Sequence, residues 1–416
     1  MCTTFLLTEM IREFSDLDVL GYPRLVRLNP NVPWKTRGNA ALSVQLGKGK
    51  GRKKNVGSIG GRDVFMFERG ANLQPTKEHL DRAEQLLDRW YVRGEEGTNP
   101  GLVLLRSRPP ASLYWRAVRG IVEKESLRAL LDGELVAMRG NGRGVIGACA
   151  SIAWRPRDRT YEVITYRDSV NWGTKRDIES ASVIAMDRKF QSTFNNYDPR
   201  HKKVAIAPGS PCPILFGIRG DRPDVLQNAM RMIKGERPER WIIYVSNQGT
   251  DDHLAMPKGK LAPFTSIKAR ATVVSMPRTI VGSHAFVDVR IGKETIAAAA
   301  YEPSKEFRGA VRALVPGDAV VVCGGVRGEP RTLNLEKIKV VRLVDVQKKV
   351  GNPLCENCGK RMKSRGKGQG YRCEKCGAKA REAETAVLDR KIKIGWYEPP
   401  ISARRHLAKP LKRMDA

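Results

Sequence analysis

The segment MCTTFLLTEMIREF places Leu7, Met10, Ile11 and Phe14 at i, i+3, i+4 and i+7, the spacing of one apolar face of a helix. Thr3 and Thr4 fall in its first turn, where hydroxyls can cap free backbone N–H groups. A strand alternating Leu42, Val44 and Leu46 follows the Pro-rich turn of NPNVPWKTRGNAALSVQL. Further on, CPILFGI reads as a strand, RGDRP as a turn and DVLQNAMRMI as a helix. That helix carries Val225 or Leu226, Ala229, Met230 and Ile233 on one face. RWIIYVS is the returning strand of this βαβ unit. Its two strands run parallel, so the GIRGD and NQGTDDHL loops leave the sheet at one edge, where ligands of α/β sheets gather.

Short alternating strands fill residues 266–346: IKARATVVS, SHAFVDVRI and ETIAAAAY, a helical patch SKEFRGAVRALV, then DAVVVCGGVRG and TLNLEKIKVVRLV. Three strands, a helix and two strands is the order of an OB-fold barrel, a platform for nucleic acid. Another small β-barrel is the alternative.

The 416 residues accommodate about three domains of ~150 residues, and 41% apolar content suffices for packed cores. No apolar run approaches the ~20 residues of a membrane span. The first twenty residues carry acids and no cleavage pattern, so a cytoplasmic protein without a membrane partner is expected. Lys and Arg number 75 against 44 Asp and Glu, a net charge of +31 that points to a polyanionic partner.

Four of the eight cysteines are concentrated in CENCGKRMKSRGKGQGYRCEKCGAKA. Cys355, Cys358, Cys373 and Cys376 form two C-x2-C knuckles, each followed by a glycine, the pattern of a structural Zn2+ site with no open coordination position. Between residues 360 and 381 the knuckles carry nine basic residues against one acid, Glu374. Lys360, Arg361, Lys363, Arg365 and Lys367 are the candidate RNA contacts. The tail WYEPPISARRHLAKPLKRM adds Arg404 and Arg405 on a basic arm, which could equally be solvated and disordered.

Polar, glycine-rich loops elsewhere supply candidates for a small-molecule site. KTRGN offers Lys35, Arg37 and Asn39, and RGNGRGVIGA offers Arg143. TFNNYD offers Asn195, Asn196 and Asp198. GIRGD offers Arg219 and Asp221, although a plain turn accounts for that motif as well. NQGTDDHL offers Asn247, Thr250, Asp251, Asp252 and His253. No GxxxxGK[ST] phosphate loop is present.

These segments, together with MCTT, PRLVRLNPNVPW, TYEVITYRD, AAYEPSKEFR, TLNLEKI and SARRHLAKPL, resemble the archaeal tRNA-isoleucine 2-agmatinylcytidine synthetase (TiaS) family along the whole chain. The resemblance implies a multidomain α+β protein: a kinase-like α/β domain (1–108), a ferredoxin-like domain (109–262), an OB-fold (263–347), a zinc ribbon (348–381) and a basic C-terminal arm (382–416). It implies an ATP- and Mg2+-dependent ligase joining agmatine to C2 of the wobble cytidine in the CAU anticodon of an isoleucine tRNA. The C2 oxygen would be phosphorylated and the phosphate then displaced by the agmatine amine.

By position, Thr3 matches the family threonine that accepts phosphate, although an ordinary capping threonine would look the same. Asp251 and Asp252 are further catalytic candidates. An acid among Asp198, Asp221, Asp251 and Asp252 is expected to take agmatine's cationic end. The family carries a short strand and an Asp-rich DDTDS-type loop just before MCTT, which this sequence does not show. A shortened kinase-like domain is therefore expected, and a non-catalytic tRNA-binding protein is the second reading. KTRGN, GIRGD and NQGTDDHL favour the ligase.

Overall fold

The computed structural model describes residues 2–34, 38–95 and 97–414. Nine strands form one mixed sheet. At its centre, Arg240–Ser246 runs antiparallel to Thr160–Tyr166 in the register Ile242↔Ile164, and antiparallel to Leu46–Ile59 on its other side. Arg24–Arg27 continues beside the end of the same strand in parallel. The expected βαβ unit is present as Ile214–Gly220, the helix Pro223–Arg231 and Arg240–Ser246. Its strands are parallel but not adjacent, because Thr160–Tyr166 is inserted antiparallel between them.

The first helix, Thr3–Glu13, is buried over more of its circumference than one apolar stripe would require. Phe5, Leu7 and Ile11 face the sheet, while Leu6 meets Leu86 and Leu87 of the helix Lys77–Trp90. Being covered on both sides, it buries polar residues as well. Thr8 accepts a hydrogen bond from Arg240, and Glu9 is ion-paired with the same guanidinium. The expected hydroxyl cap is absent: Cys2 is the N-cap residue and no side chain caps the helix.

Residues 266–342 close into a barrel. Ser266–Val273 pairs with Ala319–Val326, which pairs with Thr332–Arg342, then Glu294–Ala300, then His284–Ile291. The last strand returns to the first at Thr272↔Arg290 and Val273↔Val289. Alternate residues such as Ile267, Ala269, Ala271 and Val273 fill the interior. The helix Phe307–Arg312 lies between the third and fourth barrel strands in sequence, as expected. Beyond it, the ribbon is a three-stranded sheet of Lys363–Ser364, Tyr371–Arg372 and Lys379–Ala380.

The C-terminal segment corrects the expectation of a basic arm. After the ribbon, Arg390 grips the fully buried Asp318 with two 2.7 Å bonds, and Gly395–Tyr397 adds a strand to the barrel. The chain then crosses back to the α/β half, where Leu407 joins the core cluster of Tyr114, Val145 and Trp154. Arg404 pairs with Glu398 at 2.7 Å and donates to Asn195. Arg405 donates to Asn31 and faces Glu336. These two guanidiniums have internal partners, so they clasp the strap rather than extend toward RNA. Replacing Leu407 with Ala should lower stability by about 2–5 kcal/mol, the range for emptying a buried leucine site, as read by urea unfolding with a tryptophan probe.

Candidate active-site cleft and zinc ribbon

A cavity of about 1200 Å3 opens in the α/β half. Its wall includes the start of the first helix, the strand Ala40–Ser43, the glycine-rich helix Gly144–Ala153 and residues 205–214. Thr3 is exposed toward this space at the helix's first turn. The uncapped N–H groups and the dipole there favour negative charge.

The densest polar cluster at the wall draws on five chain segments. Glu162, on the central strand Thr160–Tyr166 and nearly fully buried, accepts from Arg219 Nε at 3.0 Å and from Gln248 Nε2. Arg27 Nε donates to the same Gln248 at 3.2 Å. Enclosure by the protein lowers Arg27 to about 10, with Arg219 adding to the effect and Glu162 opposing it. From the C-terminal strap, His406 brings Nδ1 to 3.2 Å from Arg219 Nη2. A guanidinium can only donate, so Nδ1 accepts and the ring proton sits on Nε2. Arg27, burial and Arg219 all hold His406 well below its ordinary range, so it stays neutral. The imidazole is ringed by protein, yet it presents an accessible face to the cavity. Two guanidiniums against one carboxylate leave this wall net positive and suited to a phosphate.

Across the cavity, Arg143 precedes the helix Gly144–Ala153 and donates to the Val122 carbonyl at 3.0 Å. Its guanidinium lies 4.8 Å from the ring centroid of Trp34, which is 47% exposed and presents an aromatic face. Gly101 and Gly144 meet backbone to backbone: a Cβ on Gly144 would lie 2.2 Å from the Gly101 nitrogen, so the helix start can approach the strand Gly101–Leu104 only with glycine there. Asn39, in the left-handed region at φ +41, donates to the Asn29 carbonyl and lines the same wall.

In the ribbon, all four cysteine Sγ atoms lie within 4.8 Å of one another, with separations of 3.3, 3.4 and 3.9 Å among them. Tetrahedral Zn–S bonds of ~2.3 Å require S···S distances of ~3.8 Å, so the thiols fit a structural zinc ion. Among the described residues, this is the only such cluster of metal-ligating side chains.

Family models match three stretches: the TiaS TCKD domain over residues 1–138, the TiaS FLD domain over 142–253 and the TiaS C-terminal zinc ribbon domain over 352–392. The isoleucine-tRNA 2-agmatinylcytidine synthetase TiaS of Methanocaldococcus jannaschii is 37% identical over 430 residues, spanning 100% of this chain and 96% of that protein. The chain belongs to the TiaS family.

The Archaeoglobus fulgidus TiaS is 35% identical, over 100% of this chain and 94% of its own length. The crystal structure of a TiaS complex with isoleucine tRNA and ATP superposes with a TM-score of 0.86 at 34% identity, covering 100% of this chain and 94% of that one. A TiaS complex with the same tRNA, AMPCPP and agmatine gives 0.84 at 31% identity, with the same coverages.

Of the residues expected in a TiaS site, the cavity gathers Thr3, Asn39, Arg143 and Arg219. Lys35 and Arg37 lie outside the described residues. The NQGTDDHL loop does not line the cavity, and its acids Asp251 and Asp252 are engaged with protein partners. Asp251 is ion-paired with Lys337 at 2.7 Å and accepts from the Lys409 N–H. Asp252 accepts from Tyr114 Oη at 2.6 Å, and burial raises its carboxyl. His253 is fully buried against Glu336 at 2.8 Å. Asn247 pins Arg27 through both its N–H and its carbonyl, and Thr250 donates to the Asn247 carbonyl.

The remaining candidates are also engaged away from the cavity. Asn196 donates to Asp187 and Thr193, Asp198 holds His201, and Asp221 pairs with Arg413. Asn195 accepts from Arg404. Sequence reasoning missed Arg27, Trp34, Glu162, Gln248 and His406. A lone acid in the apolar strand TYEVITY was the readable signal for Glu162.

On the ribbon, Lys360, Arg361, Lys363, Arg365 and Lys367 are all exposed. Arg361 and Lys363 have carboxylate partners, Glu384 and Glu374. Elemental analysis should find one zinc per chain, and Cys373→Ser should lose it while the thermal transition of the α/β half is retained.

Proposed function

We propose that this chain is an ATP-dependent ligase that joins agmatine to C2 of the wobble cytidine in the CAU anticodon of an isoleucine tRNA, so that the tRNA reads AUA. The observation that carries this reading is end-to-end similarity to TiaS proteins, including those crystallised with isoleucine tRNA, ATP and agmatine. The cleft supports it, because a pure RNA binder has no need of a cavity of this size with guanidiniums and a neutral imidazole in its wall.

In this proposal, residues 1–108 form the kinase-like domain and 109–262 the ferredoxin-like one. The two parallel strands split by Thr160–Tyr166 support the latter. Residues 263–347 are the OB-fold and 348–381 the ribbon, while 382–416 serve as a strap. ATP occupies the cavity with its phosphates toward Arg27 and Arg219, and Thr3 receives phosphate at the helix start. Lys35, Arg37, Asn39 and Arg143 complete the ATP and substrate contacts. Mg2+ would arrive with ATP, held chiefly by phosphate oxygens, and would neutralise charge on the transferred group. Glu162 is the carboxylate best placed for agmatine's guanidinium, the same chemical group as its present partner Arg219. The exposed ribbon cations Lys360, Arg365 and Lys367 grip the tRNA, and the enzyme works beside its substrate in the cytoplasm.

Purified protein with ATP, Mg2+ and an unmodified isoleucine tRNA transcript should incorporate labelled agmatine at the wobble position. Absence of incorporation with intact tRNA binding would leave the non-catalytic reading. Thr3→Ala should reduce incorporation by at least ~100-fold, the range for losing a group that acts on the reacting atoms. Its tRNA affinity should be unchanged in filter binding.

A further inference from the structure

We propose that the long hairpin of Leu46–Ile59 and Arg62–Asn72 is a second RNA-backbone contact, separate from the zinc ribbon. It rests on the tRNA reading above and extends it to a surface in the α/β half. The hairpin carries Lys48, Lys50, Arg52, Lys53, Lys54, Arg62 and Arg69 against two acids, Asp63 and Glu68. All seven cations are exposed.

Their pairing sets them apart. Elsewhere in the α/β half, Arg82, Arg139, Arg167 and Arg240 each hold a carboxylate. On the hairpin, Glu68 is taken by Lys54 at 2.6 Å. Among the described residues, Lys48, Lys50, Arg52, Arg62 and Arg69 have no ion-pair partner.

The register adds to this imbalance. Lys50 stands directly across from Arg69, a like-charge pair that is destabilising in an isolated sheet and that a phosphate between them would relieve. The strand bulges between Lys50 and Lys53, where Gly51 takes φ +84 and a Cβ there would meet nothing within 4 Å. A bulge twists the strand and frees backbone N–H groups, so main chain as well as side chains can reach a phosphate. Two aromatic rings of the hairpin pack beneath this surface. Phe67 lies under Gly49, where a Cβ would fall 2.3 Å from its ring, and Lys53 sits 4.4 Å over Phe65.

The test is a salt series of tRNA binding to the full-length protein and to the triple variant Lys50→Ala/Arg52→Ala/Arg69→Ala. The slope of log affinity against log salt should shrink by about 0.7–0.9 for each phosphate no longer neutralised, so by about 2–3 for three cations. The KM for tRNA should rise, while kcat at saturating tRNA and the Tm stay unchanged. The control Lys54→Ala/Glu68→Ala removes a neutral pair and should leave the slope alone. An unchanged slope and KM in the folded triple variant would overturn the proposal. So would an equal effect in the control, or a fall in kcat at saturation. Wild-type protein that binds tRNA without salt dependence would instead defeat the tRNA reading itself.

Discussion

A buried network of opposite charges holds the two halves of this molecule in one arrangement. Glu336 and Lys337 are neighbours on the barrel strand Thr332–Arg342, and neighbours on a strand normally face opposite ways. Here the ladder slips between Cys323 and Gly324, leaving Glu336 as the extra residue of a bulge, so both side chains serve the junction. Lys337, 1% exposed, reaches Asp251 and the Lys409 carbonyl, while Glu336 takes His253 and faces Arg405. Burial alone would raise the Glu336 carboxyl, but His253, Arg405 and Lys337 bring it to about 2. Removing one partner from such a set typically costs about 3–5 kcal/mol, because the other charge is left buried and unpaired.

That junction accounts for the partners of the densest polar motif of the sequence. NQGTDDHL follows an apolar strand and ends at the expected ligand-binding edge, where a catalytic loop would also stand. Sequence pattern cannot separate the two cases, since both call for closely spaced hydrogen-bonding groups. What decides is the partner: Lys337 lies 86 residues from Asp251 and Tyr114 lies 138 from Asp252. The barrel was legible because period-two alternation encodes a two-faced strand directly. The ribbon was legible because metal-ligand spacing is local. The strap was not legible, because basic residues read as solvent-facing until their acids are located, and Asp158, Asp221 and Glu336 all lie in other segments or modules.

The cleft follows the same logic on a smaller scale. Each of Arg27, Glu162, Arg219, Gln248 and His406 would be an unremarkable polar residue on its own strand or loop. Brought together at one wall, part of it buried, they interact through a medium less screening than water, so one carboxylate sets the position of its guanidinium and the guanidiniums fix the tautomer of the imidazole. Preorganisation of this kind means a phosphate entering the cavity meets donors already oriented, with little reorganisation left to pay.

The strap also imposes an order of assembly. His406 and Leu407 belong to the wall and core of the α/β half, yet they are synthesised after the barrel and the ribbon. While those residues remain inside the ribosomal exit tunnel, the cleft lacks its imidazole and the neighbouring core lacks a leucine. The site is therefore completed last, only once the strap has emerged and docked.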